Sequence, residues 1–204
     1  MVRLGRRAFA LLLSAPLLGG RGASAHKSHG TEPEARLPVI TTAPAFMLTR
    51  EDGTPFGSEQ MAGRVAVVSF VYTSCADICP LLTQRLATVQ DDLGGDFGPE
   101  VVFVSITMDP ETDRPPVLAR FAADMGADPK GWAFLTGEVD AIRKVAGGYG
   151  VVFARLPDGD VTHNQLTSLV DRAGKIRVQY QGSSFDTDEF GHDIRLLLDE
   201  AATG

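Results

Sequence analysis

Cysteine is scarce in this 204-residue chain: there are two, Cys75 and Cys79, and no third. A single bridge between them would close a loop so short that it removes little entropy from the unfolded chain, so stability is a poor reason for the spacing. Long apolar runs are missing too. The stretch from Ala8 to Leu18 is about half the roughly twenty residues that cross a bilayer, which argues against a permanent membrane span. Positive charge is in deficit, 19 basic against 26 acidic residues for a net charge of −7, which argues against nucleic acid as a partner and for a self-repelling, soluble body. Histidine is limited to four positions, and no internal repeat is visible.

The first 25 residues have the layout of an export signal: Arg3, Arg6 and Arg7, the apolar stretch, then Ala23-Ser24-Ala25. Cleavage is expected before His26, and Arg6-Arg7-Ala8-Phe9 has the look of a twin-arginine signal as an alternative to the ordinary secretory route. No cysteine follows to accept a lipid. Cleavage would remove four arginines and no acidic residue, taking the charge from −7 to −11. The expected organisation is a cleavable signal over 1–25, a flexible polar segment over 26–44 containing His26 and His29, and one domain over 45–204. The expected location is the periplasm or another exported compartment. Membrane contact is expected only through a partner, unless the signal is retained as an anchor.

Hydrophobic periodicity lays out the body. Phe46 to Thr49 and Thr54 to Phe56 flank a turn and read as an edge hairpin. Val65 to Tyr72 and Val101 to Ile106 are almost wholly apolar, as in strands covered on both faces, and Trp132 to Leu135 is a third, shorter one. Helical patterns follow each: Pro80 to Leu93, stopped by Gly94-Gly95; Pro116 to Met125; and Val139 to Ala146, stopped by Gly147-Gly148. After a loop holding Pro157 and His163, Leu166 to Asp171 and Lys175 to Gln181 read as a hairpin, and Asp186 to Glu200 as a last helix. Three strand–helix units, a hairpin and a helix predict an α/β fold: a central mixed sheet with helices on both faces.

In such sheets reactive groups gather outside the carboxyl ends of the parallel strands, where Cys75 and Cys79 fall, between the first central strand and its helix. Four residues across a helix start put the two Cα atoms roughly 6 Å apart, close enough for a disulfide or for one shared ion. Free N–H groups at a helix start lower a thiol pKa, whereas the carboxylate of Asp77 opposes this. Two thiolates and an imidazole make a soft, low-coordinate site suited to copper, while zinc normally takes four ligands. The body offers two histidines. His192 lies between acidic residues on the last helix and reads as a surface group, whereas His163 precedes a strand, where a loop can turn it toward the thiols. Met108 and Trp132 read as packing, and Asp109 and Asp113 either as an acidic docking rim or as ordinary turn residues.

The segments Thr73-x-Cys75-x-x-x-Cys79-Pro80, Ser105 to Pro110, Gly131 to Gly137 and the downstream His163 together resemble the Sco/SenC family of copper-binding proteins, from about Ala45 to Asp199. The resemblance implies a thioredoxin-like fold. It implies copper, as Cu(I), Cu(II) or both, held by Cys75, Cys79 and His163. It also implies a role in assembling the dinuclear copper centre of cytochrome c oxidase, by delivering copper to the copper-bearing subunit, or to another copper protein, or by reducing its cysteines. The aspartate that often precedes the family's histidine is Thr162 here, with Asp160 two residues further back. If the chain is an enzyme, it would be a thiol–disulfide oxidoreductase using Cys75 and Cys79 as a redox-active pair that can form a disulfide. Against this, the spacing is one residue longer than C-x-x-C, and Gly159 to Ser168 lacks the proline that thioredoxins keep there. A peroxiredoxin-like peroxidase would need threonine one residue further from its cysteine than Thr73 is from Cys75.

Overall fold

The computed structural model describes residues 37–157 and 161–200. The expected signal over 1–25, with His26 and His29, lies outside them. In chain order the described residues form β1 (Thr41–Thr42), β2 (Met47–Arg50), β3 (Pro55–Gly57), β4 (Val65–Val71), α1 (Ile78–Leu93), β5 (Val101–Thr107) and α2 (Pro115–Asp124). There follow β6 (Trp132–Thr136), α3 (Val139–Gly148), β7 (Phe153–Arg155), β8 (Val161–His163), β9 (Leu166–Val170), β10 (Lys175–Gln181) and α4 (Thr187–Asp199).

Eight strands make one sheet in the order β1-β10-β9-β4-β5-β6-β2-β3, and β7 with β8 makes a separate two-stranded ribbon. The pairs β4–β5 and β5–β6 are parallel and every other pair is antiparallel. All residues of β4, β5 and β6 are buried, which is why these segments are apolar without alternation. The pleat still sorts their side chains. Val65, Val67, Phe103 and Phe134 face Leu82, Leu86, Leu118, Phe190 and Ile194 of α1, α2 and α4. Ala66, Val68, Val104 and Leu135 face the opposite layer, with Ile142, Val145 and Ala146 of α3. Helices thus cover both faces, as the pattern predicts.

Polar side chains in the middle of the sheet pair with one another. The hydroxyls of Ser69 and Ser105, neighbours across β4 and β5, meet at 2.9 Å, and Trp132 Nε1 donates to Ser105 Oγ at 3.0 Å. Trp132 is accordingly a core residue. Helix α1 ends at Gly94, whose φ of 53° only glycine adopts without strain. Helix α3 runs on through Gly148, two residues past Ala146, and so includes the double glycine expected to stop it. The backbone also pairs earlier than Ala45: Ile40 N–H donates to Ile176 O at 2.8 Å and β1 joins the sheet edge. Among the described residues no helix is long and apolar enough to cross a membrane.

One pairing decides where the site forms. Because β9 runs antiparallel to β4, with Val68 opposite Ser168, the start of β9 lies beside the end of β4. Gln165 marks the junction, its Nε2 donating to Phe70 O at 3.1 Å. The chain entering β9 therefore arrives where the chain leaving β4 departs, and the two carry His163 and Cys75.

Candidate metal centre

Strand β4 ends at Val71, and after six intervening residues α1 begins, with Cys79 and Pro80 in its first turn. Proline is tolerated there because its missing N–H has no intrahelical partner to lose. The remaining N–H groups of that turn need acceptors. Asp77 holds the N-cap position, but its side chain makes no capping bond. The Cys75 sulfur takes over that duty and accepts from the Cys79 N–H at 3.5 Å. Cys75 is half-buried, whereas Cys79 is fully enclosed, and both are free thiols.

Their proton affinities are split. Burial alone would push Cys75 up, but hydrogen bonds from the N–H groups of Cys79 and Asp77, from the Tyr72 hydroxyl and from the Cys79 thiol outweigh it and hold Cys75 below the ordinary thiol value. Asp77 thus supports the thiolate through its backbone, the opposite sense to that expected of its carboxylate. Burial drives Cys79 strongly the other way, assisted by the charges of Cys75 and Asp113 and only partly offset by the Tyr72 N–H. Of the two thiols, the outer one therefore gives up its proton the more readily.

Asp113 anchors the loop that carries Cys75. Its carboxylate accepts from Thr73 N–H at 3.1 Å, from the Thr73 hydroxyl, and from Thr107 Oγ1 at 2.6 Å, tying the exit of β4 to the end of β5. Burial raises its pKa against the lowering effect of those three donors, and the neighbouring charge of Asp109 adds to the rise. Asp113 and Asp109 are both buried, with 0% and 3% exposure, so they do not form the acidic rim considered from the sequence. The turn sequence Asp109-Pro110 aims both carboxylates inward instead: Asp109 O accepts from Asp113 N–H at 2.8 Å, and Asp109 N–H donates to Thr107 Oγ1 at 2.9 Å. Met108 is buried in the core, as expected for a residue ending a buried strand.

His163 ends β8 and pairs with Phe153 across the ribbon. Its ring meets that of Tyr72 edge-on, with centroids 5.9 Å apart and planes at 86°. Tyr72 therefore touches both halves of the expected ligand set, Cys75 through its hydroxyl and His163 through its ring. The structure brings the two cysteines together and places His163 on the far side of that shared contact. Among the described residues no three His, Cys, Asp or Glu side chains stand close enough to hold a metal ion. His163 Nδ1 is nevertheless buried without a hydrogen-bond partner, a state costly to a polar atom. Two thiols and an imidazole with an uncommitted nitrogen fit a soft metal by donor chemistry. His192 is exposed on α4, away from this group.

A mixed sheet with a dithiol between the end of a central strand and the first turn of its helix defines a protein of thioredoxin-like fold. The family model described as SCO1/SenC matches residues 35–199. The chain belongs to that family. It is 31% identical over 140 residues to the SCO1 protein homolog of Bacillus subtilis, covering 67% of this chain and 72% of that one. Among solved structures it resembles BsSco, a member of the Sco family of cytochrome c oxidase assembly proteins in which a disulfide switch was identified. That match has a TM-score of 0.71 and 26% identity, and covers 82% of this chain and 100% of that one. It also resembles Arabidopsis thaliana ScoI, solved with copper bound, with a TM-score of 0.67 and 28% identity over 76% of this chain and 98% of the other.

Proposed function

We propose that this chain is a copper metallochaperone acting in assembly of the dinuclear copper centre of cytochrome c oxidase, with Cys75, Cys79 and His163 as its ligands. The observation that carries the reading is the split dithiol beside a buried, unpartnered imidazole nitrogen. Relatives described as oxidase assembly proteins, and one solved with copper bound, support the same role. Copper is the cargo, and thiolates are the donors Cu(I) favours. Cys75, half-open to solvent, is the thiol readier to meet it as a thiolate. Cys79 must give up a proton to become the second donor, so loading releases a proton and weakens as pH falls. His163 completes the set as the β7–β8 ribbon carries it past Tyr72 toward the sulfurs. The recipient is the copper-bearing subunit of the oxidase or another copper protein. Residues 1–25 act as a cleavable signal, placing the protein in the periplasm or an equivalent exported space.

Titration of the reduced protein with Cu(I) and Cu(II), beside a His163→Ala variant, tests this. One copper per chain is expected, with Cu(II) binding weakened in the variant. Failure to bind, or indifference to the loss of His163, would overturn it.

A second reading is favoured by one observation: an outer thiol held below its ordinary pKa and an inner one held above it is also the layout of a nucleophile and a resolving cysteine. On that reading the chain reduces cysteines of a copper-receiving or other exported protein. Full activity of His163→Ala in restoring the oxidase, together with turnover of a mixed disulfide, would favour it over copper delivery.

A further inference from the structure

The ribbon that carries His163 makes no ladder bonds to the main sheet. At its base, Asn164 closes it on itself: Val152 N–H donates to Asn164 Oδ1 at 2.7 Å, Asn164 Nδ2 donates to Gly150 O at 2.9 Å, and Asn164 N–H donates to Val152 O at 3.3 Å. Phe153 stands opposite His163, and Arg155 opposite Val161. Directly paired residues point to the same side of a ribbon and alternate residues share a face, so His163, Phe153, Arg155 and Val161 are on one face. Phe153 and Val161 turn that face to the core, while Ala154 and Thr162 are exposed on the other. Thr162 thus points away from the body and gives His163 no support.

Support comes from elsewhere. Arg155 Nη1 makes an ion pair with Asp109 Oδ1, and Glu111 Oε2 stands 3.4 Å from the same nitrogen. Arg155 is 42% exposed, whereas Asp109 is 3% exposed, and Asp109 Oδ2 is buried without a partner. A buried carboxylate with one oxygen unmatched depends on its cation, because an uncompensated buried charge is strongly unfavourable. From Asp109 the connection is short: its carbonyl takes the Asp113 N–H, and Asp113 holds Thr73, two residues before Cys75.

We propose that Arg155, through its ion pair with Asp109, is a positioning residue for His163, registering the histidine-bearing ribbon against the turn that anchors the cysteine loop. The role rests on His163 being a copper donor. The contact spans 46 residues of sequence and joins the two halves of the ligand set through protein alone. It fixes the free end of a ribbon whose other end is fixed by Asn164, leaving His163 a limited arc in which to meet the sulfurs.

The experiment compares the wild type with Arg155→Gln, Arg155→Lys, Asp109→Asn and His163→Ala. Two measurements are made: amide hydrogen exchange of the copper-free proteins, and Cu(II) affinity with the sulfur-to-copper charge-transfer absorption of the loaded ones. Arg155→Gln should exchange the amides of 153–155 and 161–163 about tenfold faster while those of β4 and α1 hold. It should bind Cu(II) about tenfold more weakly, with its absorption moved toward that of His163→Ala. Arg155→Lys should recover most of both effects, and Asp109→Asn should reproduce the loss without adding to that of Arg155→Gln. If His163→Ala has the wild-type absorption, the ligand assignment falls and the positioning role falls with it, whatever the ribbon does. If His163→Ala changes the absorption but Arg155→Gln leaves exchange and absorption as in the wild type, the ligand assignment stands and the role of Arg155 is overturned.

Discussion

The Cys79 N–H donates to the Cys75 sulfur at 3.5 Å, so one member of the dithiol caps the helix on which the other is carried. The spacing of the pair is therefore also the spacing of a capping interaction. It explains why the exposed sulfur, rather than the enclosed one, is the more acidic.

Thiol chemistry of the metal-free protein should be one-sided. Iodoacetamide is expected to label Cys75 with an apparent pKa below that of free cysteine and to leave Cys79 unmodified until the protein unfolds. Peptide mass spectrometry across a pH series reads both values. The same shift appears in stability. A depressed folded-state pKa contributes stability that is complete above the unfolded thiol pKa and is lost as pH falls through the folded one. The advantage of wild type over Cys75→Ser should therefore grow with pH across that window.

Asp113 has the opposite sign. Burial raises its pKa above that of an unfolded aspartate, so its ionisation opposes folding: its contribution is intact below the unfolded value and shrinks as pH rises through the folded one. Urea denaturation of wild type should show this as a gain in stability on mild acidification, and Asp113→Asn should remove that slope. Asp113→Ala, which strands Thr73 N–H and two hydroxyls, should cost about 2–4 kcal/mol.

Ser105→Ala removes the acceptor of Trp132 Nε1 and the partner of Ser69 between two buried strands. The expected loss is about 1–3 kcal/mol, measured by urea unfolding, with copper binding unchanged because the network lies below the site.

Arg177 is 6% exposed and binds Asp171, Glu200 and the carbonyl of Leu37. One side chain thus ties the β9–β10 turn, the residue after α4 and the segment before β1. Arg177→Ala should cost about 1–3 kcal/mol by taking the cation from two partly buried acids, and thermal unfolding would show it.

Much of this was legible in the sequence, for identifiable reasons. β4 and β5 are seven-residue apolar runs between polar turns, and α1 has a proline at its start and a glycine at its end, so local patterning was sufficient. The cysteines could be placed because a strand–helix junction in an α/β sheet has one position. The β7–β8 ribbon escaped because three-residue strands with a single core residue each carry no periodicity. For Asp109 and Asp113 the sequence leaves rim and turn open for a related reason: an Asp-Pro turn reports local geometry, whereas their burial goes with partners at Arg155 and Thr73, more than thirty residues away. What singles out His163 in the sequence is its place before a strand. Its contact with Tyr72 follows from the antiparallel pairing of β9 with β4, which no local pattern encodes.

The cap formed by Cys75 has a last consequence. The Cys79 and Asp77 amides draw on the same sulfur lone pairs that any electrophile or metal would use. Occupancy of that sulfur is thereby entered in competition with the helix, and the first turn of α1 becomes a gauge of it. When those lone pairs are committed elsewhere the two amides lose their acceptor, so the state of one sulfur is written into the backbone at the start of the helix.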